Sequence, residues 1–201
     1  MGVGVAEHLV EHVDAPQVVP DGVFLCHADA AVKLDRAERH VACVAGDGEL
    51  RAMQVGGTVF RAGIAAVCAD MSGAAQAAFD LAMDYLRTRK QFGRLIGEFQ
   101  SLQHRAAHLY SEIEIARAVT IKAQQLLDAG SEKADLMVSV AKAKAGKAAG
   151  LAVREGVQMH GGIGMTDEYD IGLYMKRDRA LAEYMGDVHY HIDQVARMNG
   201  Y

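Results

Sequence analysis

Four cations, Arg87, Arg89, Lys90 and Arg94, fall within eight residues. At the end of a helix such a cluster can simply offset the macrodipole. It can also hold an anion, and arginine suits phosphate because its planar fork donates two parallel hydrogen bonds. A second candidate is Gly161-Gly162-Ile163-Gly164. Glycines there act either as a helix cap and turn or as a place where backbone approaches a ligand closely. The string is no dinucleotide fingerprint, which needs GxGxxG after a strand. A third candidate is Asp187, beside Gly186 in YMGDVHYH, either a solvated carboxylate or a base. His8/His12 and His104/His108 have the i,i+4 spacing of a metal pair but lack a third ligand, so no metal is expected. His189 and His191 point different ways from a helix. No Ser/His/Asp or Cys/His arrangement is legible.

The elements that would carry these groups read as mainly helical. Phe60, Ile64, Val67, Met71, Ala75, Ala78, Ala82 and Leu86 keep a 3–4 spacing. A turn follows from Phe92 to Gly97. Phe99, Leu102, Ala106, Leu109, Ile113, Ala116, Val119, Ala123 and Leu126 then form the seam of a roughly 30-residue helix. Gly130 closes it, and Ser131 is predicted to cap the next helix. That helix is Ala-rich, and Gly146 and Gly150 would allow a tight crossing. A short helix capped by Thr166 or Asp167 through Met175, and a last one from about Asp178 to Met198, complete an up-down four-helix bundle. Residues 1–57 are mixed: VVPDGVFL and HVACVAGDGELRAM suggest short strands turning at Asp21-Gly22 and Gly46-Asp47-Gly48. The expected organisation is a small β appendage over 1–57 and the bundle over 58–201.

Composition narrows the class. The 201 residues are 51% hydrophobic and 23% charged, which excludes a wholly disordered chain. A net charge of -5 gives no electrostatic case for nucleic acid or an acidic membrane. No apolar run suggests a transmembrane helix. The only prolines are Pro16 and Pro20, which favours long helices beyond them. Three cysteines without CxxC spacing suit a reducing compartment, and the N-terminus lacks secretory features, so a cytoplasmic location is expected.

YLRTRKQFGRLIGEFQSLQHRAA (85–107), VREGVQMHGGIGMTDEYDIGLYMKRD (153–178) and YMGDVHYHIDQVARMNGY (184–201) together resemble the C-terminal helical domain of flavin-dependent acyl-CoA dehydrogenases. RTRKQFG and QMHGGIGMTDEY are the specific strings, and the resemblance runs from about Ala62 to Tyr201. Residues before it look like a degenerate end of the family's β middle domain. The resemblance implies a homo-oligomer, or a heteromer with a longer subunit, and FAD held across a subunit interface. Arg89, Gln91 and Phe92 match positions meeting the diphosphate and adenine side of a neighbour's FAD. Gln158, Gly161 and Gly162 match positions meeting it from the next helix. The implied reaction is α,β-desaturation of an acyl-CoA, with an electron-transfer flavoprotein taking the electrons.

Departures from the family pattern are equally specific. A glutamate base would fall on Gly186 or, alternatively, on Gly63, and neither position carries one. Asp187 is the candidate base if the register slips by one residue. Val188 and Tyr190, or His189 and His191, stand where a Thr and a Gln usually touch FAD. The family's N-terminal helical domain and most of its middle domain have no counterpart. Two readings therefore stand: part of an active dehydrogenase, or an oligomerising scaffold that lends half an FAD site.

Overall fold

The computed structural model describes the backbone of three short strands and of residues 47–201, with side chains from Gly56 onward. The chain divides into two compact units, residues 1–60 and 61–201.

In the first unit β1 (Gln17–Val18), β2 (Phe24–Leu25) and β3 (Ala31–Val32) form an antiparallel sheet in that order, with Gln17 opposite Leu25 and Phe24 opposite Val32. The Asp21-Gly22 turn, His8, His12, Cys26 and Cys43 lie outside the described residues. α1 spans Asp47–Thr88. The expected turn at Asp47-Gly48 is thus helical instead. The reason is local: Glu49, Leu50, Arg51, Ala52, Met53 and Gln54 are all strong helix formers and none is β-branched. Gly56 and Gly57 sit inside α1, each costing about 1 kcal/mol relative to Ala without ending it.

In the second unit α1 buries Ile64, Ala65, Val67, Cys68, Met71, Ala75, Ala78, Ala82 and Leu86, which is the stripe read from spacing with Ala65 and Cys68 added, while Phe60 at its start is only half-buried. By length and composition Gly56–Thr88 could cross a membrane, at a mean hydropathy of 1.2. Its apolar face is instead occupied within the bundle: Phe79 meets Tyr110 of the next helix and Gln76 accepts from Arg117. After α1 the chain makes a tight hairpin, β4 (Lys90–Gln91) against β5 (Arg94–Leu95), with Phe92 and Gly93 both at positive φ. That pair of angles is the type I′ turn that fits strand twist.

α2 (Gln100–Asp128) buries Leu109, Ile113, Ala116, Thr120 and Ala123. Leu102 and Ala106, placed in the same seam by spacing, are only half-buried. Gly130, at φ 58, ends the element as expected. α3 (Ala134–His160) starts three residues after Ser131, whose hydroxyl accepts from the Lys133 amide rather than capping the helix itself. α3 packs against α2, α4 and α5, and its alanines allow that close packing on several neighbours. Ion pairs Arg105–Glu155 (2.6 Å), Lys144–Glu112 (2.5 Å) and Arg61–Asp135 (3.0 Å) tie α3 to its neighbours. The Lys144 hydrogen bond holds the Glu112 carboxyl below the usual range.

The fourth arm is split. α4 covers Ile171–Glu183 and α5 covers Val188–Met198, in place of the expected break near Met175 and single last helix. Met185 (φ 59) and Gly186 (φ 99) turn the chain, and Asp187 recaps it by accepting from the Tyr190 amide at 2.7 Å. A 13-residue α4 can then lie on α3 at one place and α5 at another. Close approach occurs at Gly146, where an added Cβ would lie 2.7 Å from Val188, and at Gly156, where it would lie 2.5 Å from Ile171. Gly150 has ordinary spacing by comparison. Gly156→Val is therefore expected to cost about 1–3 kcal/mol by overpacking. Thermal unfolding measures it, and a melt equal to wild type would contradict the α3–α4 contact.

Cys68 is fully buried and its thiol is pushed up to about 12, chiefly by desolvation, with the Lys142 cation opposing. Because the folded value lies above the model-peptide 9.0, the unfolded thiol ionises first. This contribution to stability is complete below pH 9.0 and is lost as pH climbs toward 12. In a variant with Cys26 and Cys43 replaced by Ser, Cys68 should ignore a thiol reagent at pH 8 until the protein is unfolded. Rapid labelling of the native form would show that the site is open.

Candidate functional site

The α1–α2 hairpin and the end of α3 enclose a cavity of about 450 Å³. Arg89, Gln91 and Phe92 line it from the hairpin, and Gln158, Gly161 and Gly162 line it from α3 and the 3-10 turn Gly161–Met165 that follows. All six residues singled out for binding thus face one space, although some 70 positions separate the two groups in sequence. The cation cluster separates by role. Arg87 pairs with Asp84 at 3.6 Å, and the Arg94 guanidinium lies 4.2 Å above the Phe99 ring. Arg89 alone of the four lines the cavity.

Physical details suit an anionic ligand with an aromatic part. Gly161, at φ 68, ends α3, and a Cβ at Gly161 or Gly162 would meet nothing within 4 Å. The Gly161 amide caps α3 by donating to the Gln158 and Val157 carbonyls, so what the two glycines offer a ligand is room for close approach. Phe92 is a bulky residue held at φ 53 with its side chain 91% exposed. A strained, exposed aromatic at a cavity rim points to a contact made elsewhere, since such conformations cost of order 1–3 kcal/mol.

Sequence reasoning passed over the aromatic wall behind these groups. His160 is buried and its Nδ1–H donates to the Gly156 carbonyl at 2.7 Å. Its ring stacks on Tyr85 with centroids 4.6 Å apart, and Tyr169 closes the trio at 5.2 Å from His160 and 5.6 Å from Tyr85. Tyr85 and His160 both line the cavity. The only signal for them was a histidine at the last position of an apolar helix, beside the glycines.

Asp187 lies elsewhere. It is not among the cavity residues, and one carboxylate oxygen is committed to the α5 cap. The two alternative positions for a base, Gly63 and Gly186, are both closed to a side chain. An added Cβ at Gly63 would lie 2.8 Å from the Met185 methyl, and one at Gly186 would lie 2.5 Å from the Tyr190 ring. A thioether thus fills the space over Gly63. His104 and His108 are exposed on α2, and among the described residues no group of three or more His, Cys, Asp or Glu is placed to hold a metal.

Long packed helices with an arginine- and glycine-lined cavity at the end of α3 define a helical-bundle domain carrying a candidate ligand site. Residues 50–199 match the C-terminal domain of acyl-CoA dehydrogenases, and the chain belongs to that family. It is 35% identical over 131 residues to the mitochondrial short/branched chain specific acyl-CoA dehydrogenase of Bos taurus, covering 65% of this chain and 30% of that one. It is 40% identical over 119 residues to acyl-CoA dehydrogenase IpdE2 of Mycobacterium tuberculosis, covering 59% and 36%. Among solved structures, butyryl-CoA dehydrogenase of Megasphaera elsdenii superposes with a TM-score of 0.67 at 28% identity, over 70% of this chain and 36% of that one. The chain therefore spans about a third of the length of these relatives.

Proposed function

We propose that this chain is the helical part of an FAD-dependent acyl-CoA dehydrogenase assembly that desaturates an acyl-CoA thioester between its α and β carbons. The observation that supports it is the convergence of Arg89, Gln91, Phe92, Gln158, Gly161 and Gly162 on one cavity. The donor set fits the adenosine diphosphate side of FAD: a guanidinium for the diphosphate, amide side chains, open glycine backbone, and aromatic surface for the adenine. Bound there, FAD would supply the acceptor for the hydride of the β carbon. Arg89 holds the ligand, the side-chain-free surface of Gly161 and Gly162 lets it approach, and the Tyr85–His160 wall excludes water from it. The rest of the cofactor, and the thioester, require surface that a neighbouring subunit supplies, a second copy or a longer dehydrogenase chain. An electron-transfer flavoprotein is the proposed acceptor. Asp187 is the proposed proton acceptor.

A second reading, a scaffold lending half an FAD site, is favoured by one observation: Asp187 serves as a helix cap, and Gly63 and Gly186 carry no carboxylate. Absorbance spectra of the purified protein with added FAD, alone and with a co-expressed longer subunit, test the cofactor reading, with mass from light scattering. Flavin bands in an oligomer are expected. A colourless protein in every combination would overturn both readings. Turnover that survives Asp187→Asn would remove the catalytic reading and leave the scaffold.

A further inference from the structure

Lys142 is 1% exposed, the largest fully buried side chain in the described molecule, and no part of the cavity uses it. It stands on α3 among Val138, Ala141, Ala145 and Ala149. Its ammonium donates to three carbonyls: Gly186 at 2.8 Å, Leu181 at 3.1 Å and Ala182 at 3.4 Å. Three donors thus meet three acceptors. Leu181 and Ala182 belong to the last turn of α4, whose carbonyls lack helical partners. Gly186 lies beyond the helix, in the bend leading to α5.

That bend is strained. Met185 at φ 59 is unusual for a residue with a long side chain, and Gly186 at φ 99 has no room for a Cβ. Such conformations persist only where surrounding contacts over-determine them. Here they do: Lys142 holds the carbonyl of Gly186, the His191 Nε2–H donates to the carbonyl of Met185 at 3.0 Å, and Asp187 accepts from Tyr190. A methionine in the place of Lys142 would match the burial but leave three carbonyls facing an apolar interior. A buried ammonium is an expensive way to fasten two short helices unless the geometry of the bend itself matters.

We propose that Lys142 is a positioning residue, whose ammonium fixes the left-handed bend at Met185–Gly186 and thereby the direction of the Asp187 carboxylate. The turnover part of its test rests on Asp187 being the proton acceptor; the structural part does not. In the full chain labelled with 15N-lysine, a slowly exchanging ammonium signal is expected at neutral pH and is assigned by its loss in Lys142→Met. Absence of any protected ammonium in the wild-type protein overturns the proposal, whether or not the variant folds. In folded Lys142→Met, amides of residues 185–190 should exchange at least about tenfold faster while α2 and α3 core amides keep their protection. Unchanged exchange in the bend overturns it.

In the active assembly, Lys142→Met should lower kcat by about tenfold or more with little change in KM, as a misaimed group does. Adding Asp187→Asn should then cost little more, because both changes disable the same carboxylate. A full, independent loss from the second substitution overturns the link between Lys142 and Asp187. If Asp187→Asn alone leaves turnover intact, the proton-acceptor reading fails. The ammonium and exchange results then still decide whether Lys142 sets the bend.

Discussion

Replacing Arg89 by Ala is expected to raise the Kd for FAD, and for ADP alone, by roughly 10- to 100-fold, the loss of about 1.5–3 kcal/mol from a charged hydrogen bond. Arg89 lines the cavity mouth and is exposed, so its removal leaves the core untouched. The melting temperature should therefore stay close to wild type, separating a binding defect from a folding one. Arg89→Lys keeps the charge but not the fork, and an intermediate Kd is expected. The defect should shrink in high salt, because the contact is partly electrostatic and solvent-accessible. Arg94→Ala is the control: its guanidinium sits on Phe99, so it should perturb the hairpin more than the ligand. Calorimetric titration of ADP gives the answer directly. Equal affinities in wild type and Arg89→Ala would detach the arginine from the anion site.

The second large effect is in the bundle seam. Leu109 is 0% exposed and Ile113 1%, one turn apart on α2. Truncation of either to Ala is expected to cost about 2–5 kcal/mol, from lost burial plus the cavity left behind. For a chain of this size each kcal/mol lowers the melting temperature by about 2–4 °C, so drops of roughly 4–20 °C should appear. The double variant should deviate from additivity, since the two side chains are neighbours one turn apart on the same buried face. Leu102→Ala should cost less, because Leu102 is half-buried and lines the binding cavity. Its larger consequence falls on ligand affinity. Melts of Leu109→Ala and Ile113→Ala that match wild type would contradict the α2 register.

Much of this architecture was legible in the residues. A proline-free stretch with 3–4 spacing fixes long helices whatever surrounds them, and the apolar stripes of α1 and α2 appear buried nearly as read. Gly130 and the Gly161 string mark helix ends because positive φ is a local property of glycine. Asp47–Gln54 misled the reading because Gly46-Asp47-Gly48 looks like a turn while its neighbours favour helix. The bend at Met185–Gly186 was also signalled, by a glycine followed by a capping Asp, but the periodicity on either side suggested one continuous helix.

The candidate site divides along the same line. Sequence alone determined the family and named Arg89, Gln91, Phe92, Gln158, Gly161 and Gly162, because residue type and short motifs are written locally. Only the tertiary structure decided that these six share a cavity and that Tyr85 and His160 form its wall. It also decided that Lys142 is buried against the carbonyls of Leu181, Ala182 and Gly186. The physical reason is that pattern and propensity act over one or two turns of chain. Whether Arg89 faces a cavity or Lys142 a helix end depends on partners roughly 40 to 70 residues away, brought there by packing of the bundle.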